Sequence, residues 1–285
     1  MARPTFDLQA HSTCSDGALR PSAVVAAAHA AGVELLALTD HDTVDGVDEA
    51  LEAAAACGLR VVPAAELSAI EGDREDLHIL GYVLDHRRPG LLETLEAFRA
   101  DRDRRAHRMA DALREAGLEL EFPDRAGKPV GRPHLAQAAF EHPANRMRLR
   151  DEEIVNFSQL LEAYLVPGAR AYRRRTTPTV AEAIEAIHAA GGVAVWAHPF
   201  WDVDADPEVL GLIDRFVELG LDGVEAFYIT HTEQQTRLVA GHCARRGLLA
   251  TGSADFHGPE HPHFHAFRAF DLHGRTPNLG PIADR

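Results

Sequence analysis

The chain has 285 residues, 46% hydrophobic and 26% charged, which suits one large soluble domain carrying an insertion. Its formal charge of −15 excludes the broad basic face that grips nucleic-acid backbone, so no stable DNA binding is expected. The opening Met1-Ala2-Arg3-Pro4 has no apolar signal core, no run approaches the ~20 residues of a membrane span, and Cys14, Cys57 and Cys243 show neither CxxC nor disulfide spacing; the expected setting is a reducing cytoplasm, with no membrane partner.

Apolar runs and helical patterns then alternate. Residues 5–9 read as a strand, and 21–31 as an Ala-rich helix with Pro21 in its first turn. A strand at 34–39 is followed by a helix at 46–57 that Gly58 closes. Arg60 to Glu66 is a third strand and Leu77 to Leu84 a fourth. A long charged helix at about 90–116 stops at Gly117. Residues 118–133 are irregular, and two or three helical pieces run on to about 165. Thr179 and Glu182 have capping-box spacing ahead of a helix ending at Gly191-Gly192. Strands at Val193 to Ala197, Asp222 to Phe227 and Leu248 to Gly252 alternate with helices opening at Pro207 and spanning 231–246.

Seven βα units predict parallel strands, in a barrel or a doubly wound sheet. His11, His41, Glu66, His198, Glu225, Asp255 and His257 all fall at or just past C-terminal strand ends. A barrel collects its active site at that rim, whereas an open sheet uses a single crevice. The predicted fold is therefore α/β, a distorted (β/α)7 barrel. Its first part is 1–89, a helical insertion over the rim is 90–172, and its second part is 173–285.

The composition is unusual in its 17 histidines. Imidazole and carboxylate ligands, with one carboxylate able to bridge, suit a polynuclear site for borderline divalent metals. His11, Asp16, His41, Glu66, His78, His134, Asp255 and His257 are the candidates. A lone histidine is more often a surface or hydrogen-bonded residue, but that reading strains when so many sit on strand ends of one barrel. His261, His263 and His265 read as a solvated loop. Asp255 follows Thr251-Gly252-Ser253-Ala254, small residues that allow a close approach of backbone and ion. Arg132 precedes His134 at a helix start, where a solvated arginine is the plainer reading; Arg170, Arg173, Arg174 and Arg175 flank the end of the insertion.

Through these residues the chain resembles the PHP (polymerase and histidinol phosphatase) superfamily. It looks closest to the branch of 3′,5′-nucleoside bisphosphate phosphatases and RNA 5′-end exonucleases. The resemblance rests on Asp7 to Gly17, Ala37 to Thr43, Glu66, His78, Gly131-Arg132-Pro133-His134, Ala197-His198-Pro199 and Gly252 to Gly258. It implies two or three divalent ions, of Mn, Zn, Fe or Mg. One would sit between the start motif (Gln9, His11), Glu66 and Asp255; a second would use Glu66, His78 and His134; a third Asp16, His41 and His257. The family's start is DLHxH, and Gln9 stands at its first histidine. An amide oxygen is a poorer ligand than imidazole, so the first position is weakened.

The resemblance further implies a metal-dependent phosphoric monoester hydrolase acting on nucleoside 3′,5′-bisphosphates, with short RNA 5′ ends as further substrates. His198 and Arg132 are the expected catalytic residues, and Ser12, Arg132, Tyr172, Arg173 and His198 the expected substrate contacts, Tyr172 as a stacking surface. The alternatives are a histidinol-phosphate-type phosphatase and a non-catalytic nucleotide-binding PHP domain.

Overall fold

The computed structural model describes residues 4–124, 130–201, 203 and 205–284. Part of the irregular 118–133 stretch, residues 125–129, lies outside them, as do residues 1–3 of the opening. The chain divides into two compact units, Met1–Leu95 with Pro178–Arg285, and Glu96–Thr177.

In the first unit seven strands form one sheet in chain order. β1 (Phe6–Asp7), β2 (Leu35–Leu38) and β3 (Arg60–Glu71) run parallel, Phe6 facing Leu35 and Leu35 facing Arg60. β4 (Arg74–Tyr82) runs antiparallel to both β3 and β5 (Val193–Trp196). Parallel pairing resumes with β6 (Gly223–Tyr228) and β7 (Leu249–Ser253). The expectation of parallel strands throughout fails at β4. Only Gly72 and Asp73 separate β3 from β4, with Gly72 at φ 57°, and two residues make a hairpin turn, never a crossover. The sheet closes on itself. Ala10 bridges Phe256 in parallel, the His11 N–H donates to the Phe256 carbonyl at 2.8 Å, and the Leu8 N–H donates to Gly252 at 3.2 Å. The result is a distorted seven-stranded barrel.

The helices start and stop where local chemistry directs. Pro21 opens α1 (Pro21–Ala30), and Gly58, left-handed at φ 76°, ends α2 (Val47–Cys57). Thr179 and Glu182 cap the later helix Val180–Ala189 reciprocally, through bonds of 3.2 and 2.7 Å. Val24, Val25 and Ala28 of α1 and Ala50 and Ala54 of α2 pack with Leu36, Leu38 and Phe256 against the barrel wall. Gly252 is required there. A Cβ would lie 2.5 Å from the Phe227 carbonyl, so this glycine lets β7 approach β6, a different service from admitting an ion.

The second unit holds most of α3 (Pro89–Glu115), followed by α4 (Arg132–Glu141), α5 (Arg146–Asp151) and α6 (Phe157–Tyr164). Its own core includes Met109, Leu113, Leu135, Leu149, Leu160 and Tyr164. Buried Asn145 ties its segments together, donating to the carbonyls of Glu119 and Ala139, both at 2.7 Å. Among the described residues no helix is long and apolar enough to cross a membrane.

Candidate metal centre

The first imidazole, His11, is set by the closing seam between β1 and β7. The loop after it turns back at Gly17, where a Cβ would stand 2.2 Å from the His11 carbonyl oxygen. Asp40 fixes this loop. Its carboxylate accepts the Ser12 N–H at 2.7 Å, the Ser12 hydroxyl at 2.7 Å and the Ser15 hydroxyl at 2.7 Å. Ser12 is fully buried with its hydroxyl engaged by Asp40, and so shapes the loop. Asp42 acts similarly on β3, accepting the Ser68 N–H at 2.9 Å. Between these two scaffold aspartates His41 turns inward, its backbone bridging Glu66 in parallel.

Glu66 is the hub. Its Oε1 lies 2.7 Å from His78 Nδ1 and 3.3 Å from His198 Nε2. Its Oε2 lies 3.0 Å from His11 Nε2 and 3.8 Å from His41 Nδ1. Asp255 Oδ1 is 3.1 Å from His11 Nε2. On the other side of His11, Asp16 comes within 3.6 Å of His11 Nδ1, 3.5 Å of His41 Nε2 and 3.6 Å of His257 Nε2. Among the described residues three groups emerge that can each hold an ion: His11 with Asp16, His41 and His257; His41 with Glu66 and His78; and His11 with Glu66 and Asp255. All of these but Asp16 line a cavity of about 130 Å³ together with His198, Trp201, Tyr228 and Phe264.

The donor set fits divalent metal. His11 Nε2, His41 Nδ1 and Asp255 Oδ1 are buried and face their neighbours without making a hydrogen bond. Buried polar atoms are normally paired, and several orphans converging on one carboxylate have the geometry of ligands. Burial opposes ionisation of Glu66, yet the surrounding histidines hold its carboxyl well below the usual range. Burial pushes His41 down to about 4, which keeps it in the neutral form that ligation requires. For His11 burial is outweighed by Asp255 and Glu66, and its imidazole is held well above its ordinary value.

Sequence reading missed a supporting layer on β6 and β7. The Tyr228 hydroxyl donates to Asp255 Oδ2 at 2.8 Å, and Glu225 accepts the His198 backbone N–H at 2.9 Å. Burial holds the Glu225 carboxyl well above its usual range. Ser253 joins Glu225 at 2.6 Å to Gln9 Oε1 at 3.3 Å, and Gln9 Nε2 donates to Glu66 Oε2 at 2.8 Å. Gln9 thus presents an N–H donor to that carboxylate at the position where the family's first histidine would stand. Two residues lining the cavity sit at left-handed φ, His198 at 28° and Asp255 at 54°. Such strain costs of order 1–3 kcal/mol each and persists where surrounding structure demands it.

Arg132, His134, Tyr172 and Arg173 belong to the second unit. His134 Nδ1 accepts the Gly131 N–H at 2.9 Å at the start of α4. Arg173 donates to the carbonyls of Arg170 and Tyr172, and the Arg105 guanidinium stands 5.5 Å over the Tyr172 ring. His261, of the tail, is structural: its Nδ1 accepts the N–H of Phe264 at 2.9 Å.

A closed seven-stranded barrel with orphaned imidazoles and carboxylates around one buried glutamate defines a metal-dependent hydrolase. The PHP domain model matches residues 7–145. A 5′-3′ exoribonuclease of Haemophilus influenzae is 34% identical over 257 residues, 89% of this chain and 90% of that protein. A 3′,5′-nucleoside bisphosphate phosphatase of Chromobacterium violaceum is 34% identical, covering 89% of this chain and 87% of its own. Among solved structures, a Bifidobacterium adolescentis protein described as a metal-dependent phosphoesterase superposes with a TM-score of 0.72 at 26% identity, covering 96% of this chain and all of its own. The chain belongs to the PHP family and is a metal-dependent phosphoesterase.

Proposed function

We propose that the protein removes a phosphate from nucleoside 3′,5′-bisphosphates, with short RNA 5′ ends as further substrates, in the cytoplasm, using two or three divalent ions. The orphaned donors around Glu66 carry this reading, and the relatives' activities supply the substrate class. His11, Glu66 and Asp255 would hold one ion; Glu66 and His78 a second, with His134 completing it; Asp16, His41 and His257 a third. When bound, such ions supply Lewis-acid charge at phosphoryl oxygens and activate a water nucleophile at neutral pH.

The chain's own residues do the rest. Glu66, buried and ionised, fixes the spacing of the ligands on both its oxygens. Tyr228 aims Asp255, and Glu225 holds the His198 backbone. His198 contacts the transferred phosphate or passes a proton to the leaving oxygen, so that water and ester become alcohol and inorganic phosphate. Arg132 and Arg173 contribute charge to the equatorial oxygens, where phosphoryl transfer is chiefly stabilised.

A phosphate-release screen with added Mn²⁺ over nucleoside bisphosphates, mononucleotides, sugar phosphates and histidinol phosphate tests the reading. Highest kcat/KM for a nucleoside 3′,5′-bisphosphate is expected. A clear preference for histidinol phosphate, or no release from any nucleotide, would overturn it.

A further inference from the structure

The metal cavity has an aromatic side that the chemistry of phosphate does not explain. Trp201 lines it with 54% of its surface exposed, whereas Trp196, in β5, is 1% exposed. Exposed apolar residues scattered singly need no explanation. Trp201 is not such a case, since it lines the same cleft as the candidate ligands. Phe264 stands 5.7 Å away at an interplanar angle of 51°, and Tyr228 lies 6.3 Å beyond Phe264. A tilted neighbour supports the indole at one edge and leaves a face open.

Both residues are anchored through the main chain. The Trp201 backbone N–H donates to the His198 carbonyl at 2.8 Å, which fixes the turn that presents the indole beside His198. Phe264 is held through its own backbone: its carbonyl accepts the His257 N–H at 2.9 Å, and its N–H donates to His261 Nδ1 at 2.9 Å. His261 also stacks on it, with centroids 5.0 Å apart at 17°. The Pro262–Phe264 stretch thus rests on a histidine that serves the backbone. By contrast, Tyr172 already carries the Arg105 guanidinium over its ring.

We infer that Trp201, braced by Phe264, is a nucleobase-stacking platform beside the metal cluster. The inference rests on the nucleotide phosphoesterase reading above and adds the residues that recognise the base. Stacking on an open aromatic face is tolerant of base identity, because every base has a π-face. The platform therefore selects nucleotides over base-less phosphates while discriminating little among bases.

The test has a kinetic and a binding arm. Trp201→Ala is expected to lower kcat/KM for adenosine 3′,5′-bisphosphate by about 5- to 100-fold, mainly through KM, as loss of one stacked base implies. Trp201→Phe should retain most of the activity, and metal content should match wild type in both variants. In the binding arm, adenosine 5′-monophosphate should quench the fluorescence of Trp201, and ribose 5-phosphate should leave it unchanged. A Trp201→Ala enzyme within twofold of wild type, a Trp201→Phe enzyme as impaired as the alanine variant, or equal responses to the two ligands would overturn the platform. Should wild type release no phosphate from any nucleotide, the phosphoesterase reading falls, and the fluorescence comparison still decides the platform by itself.

Discussion

Gln9 Nε2 donates to Glu66 Oε2 at 2.8 Å, and this bond decides what Gln9 is for. The side chain holds the central carboxylate from below, while Ser253 holds its carbonyl oxygen at 3.3 Å. Gln9→Leu leaves a fully buried carboxylate short of one donor, which costs about 1–3 kcal/mol. A matching fall in the stability of the chelator-treated protein is expected by urea unfolding. Gln9→His should instead raise metal content towards one further ion per chain and lower the metal concentration giving half-maximal rate. Unchanged stability in the first variant and unchanged metal content in the second would remove Gln9 from the site's account.

Tyr228→Phe deletes only the hydroxyl that aims Asp255. Removing such an outer partner typically weakens metal affinity by about 10- to 100-fold. Competition against a metal chelator should show that loss with the fold intact by circular dichroism. An affinity within a factor of two of wild type would mean that the His11 contact alone orients Asp255.

His41→Ala and His257→Ala each remove an imidazole from the group around Asp16. Elemental analysis should find less bound metal in both, and phosphate release should fall by at least two orders of magnitude. Since both side chains lie at the cavity rather than in the apolar core, the thermal midpoint of the metal-free variants should stay near that of metal-free wild type. Metal content unchanged in both variants would overturn the grouping.

His231 supplies a pH dependence unrelated to ligation. It lies behind Tyr228, 7% exposed, and burial pushes its pKa from 6.5 down to about 4. The unfolded chain therefore binds a proton that the folded chain refuses. Stability is full above about pH 6.5 and declines as pH falls towards 4, by about 3 kcal/mol from this group. In the metal-free protein, His231→Gln should flatten that part of the stability–pH curve. An unaltered slope between pH 6.5 and 4 would show that the acid sensitivity lies elsewhere.

Strand ends and their polar residues could be read from the sequence because short apolar runs stop abruptly at His11, His41 and Asp255. Capping chemistry likewise located the starts at Pro21 and Thr179 and the stop at Gly58. Side-chain direction within a polar run was not legible. In Asp40-His41-Asp42 only the histidine faces the cavity, and both aspartates hold neighbouring backbone. The reversed direction of β4 was hidden because a two-residue turn and a short irregular loop look alike between apolar runs. Glu225 was placed at the rim without a role, and Tyr228 passed for an ordinary strand residue, since alternation alone does not tell a barrel interior from a helix-facing wall. Trp201 had no signal except its place three residues after His198.

The seam at Ala10 and Phe256 also orders events in time. His41, Glu66 and His78 come from 38 consecutive residues, and the β3–β4 hairpin that carries two of them is a local contact. His11 and Asp255 are brought together only when the two ends of the barrel meet, and closures between such distant residues come late in folding. A nascent half-barrel can therefore capture one ion early, whereas the position shared by His11, Glu66 and Asp255 fills only in a finished molecule. Occupancy of that position is a chemical record that the chain has completed its circuit.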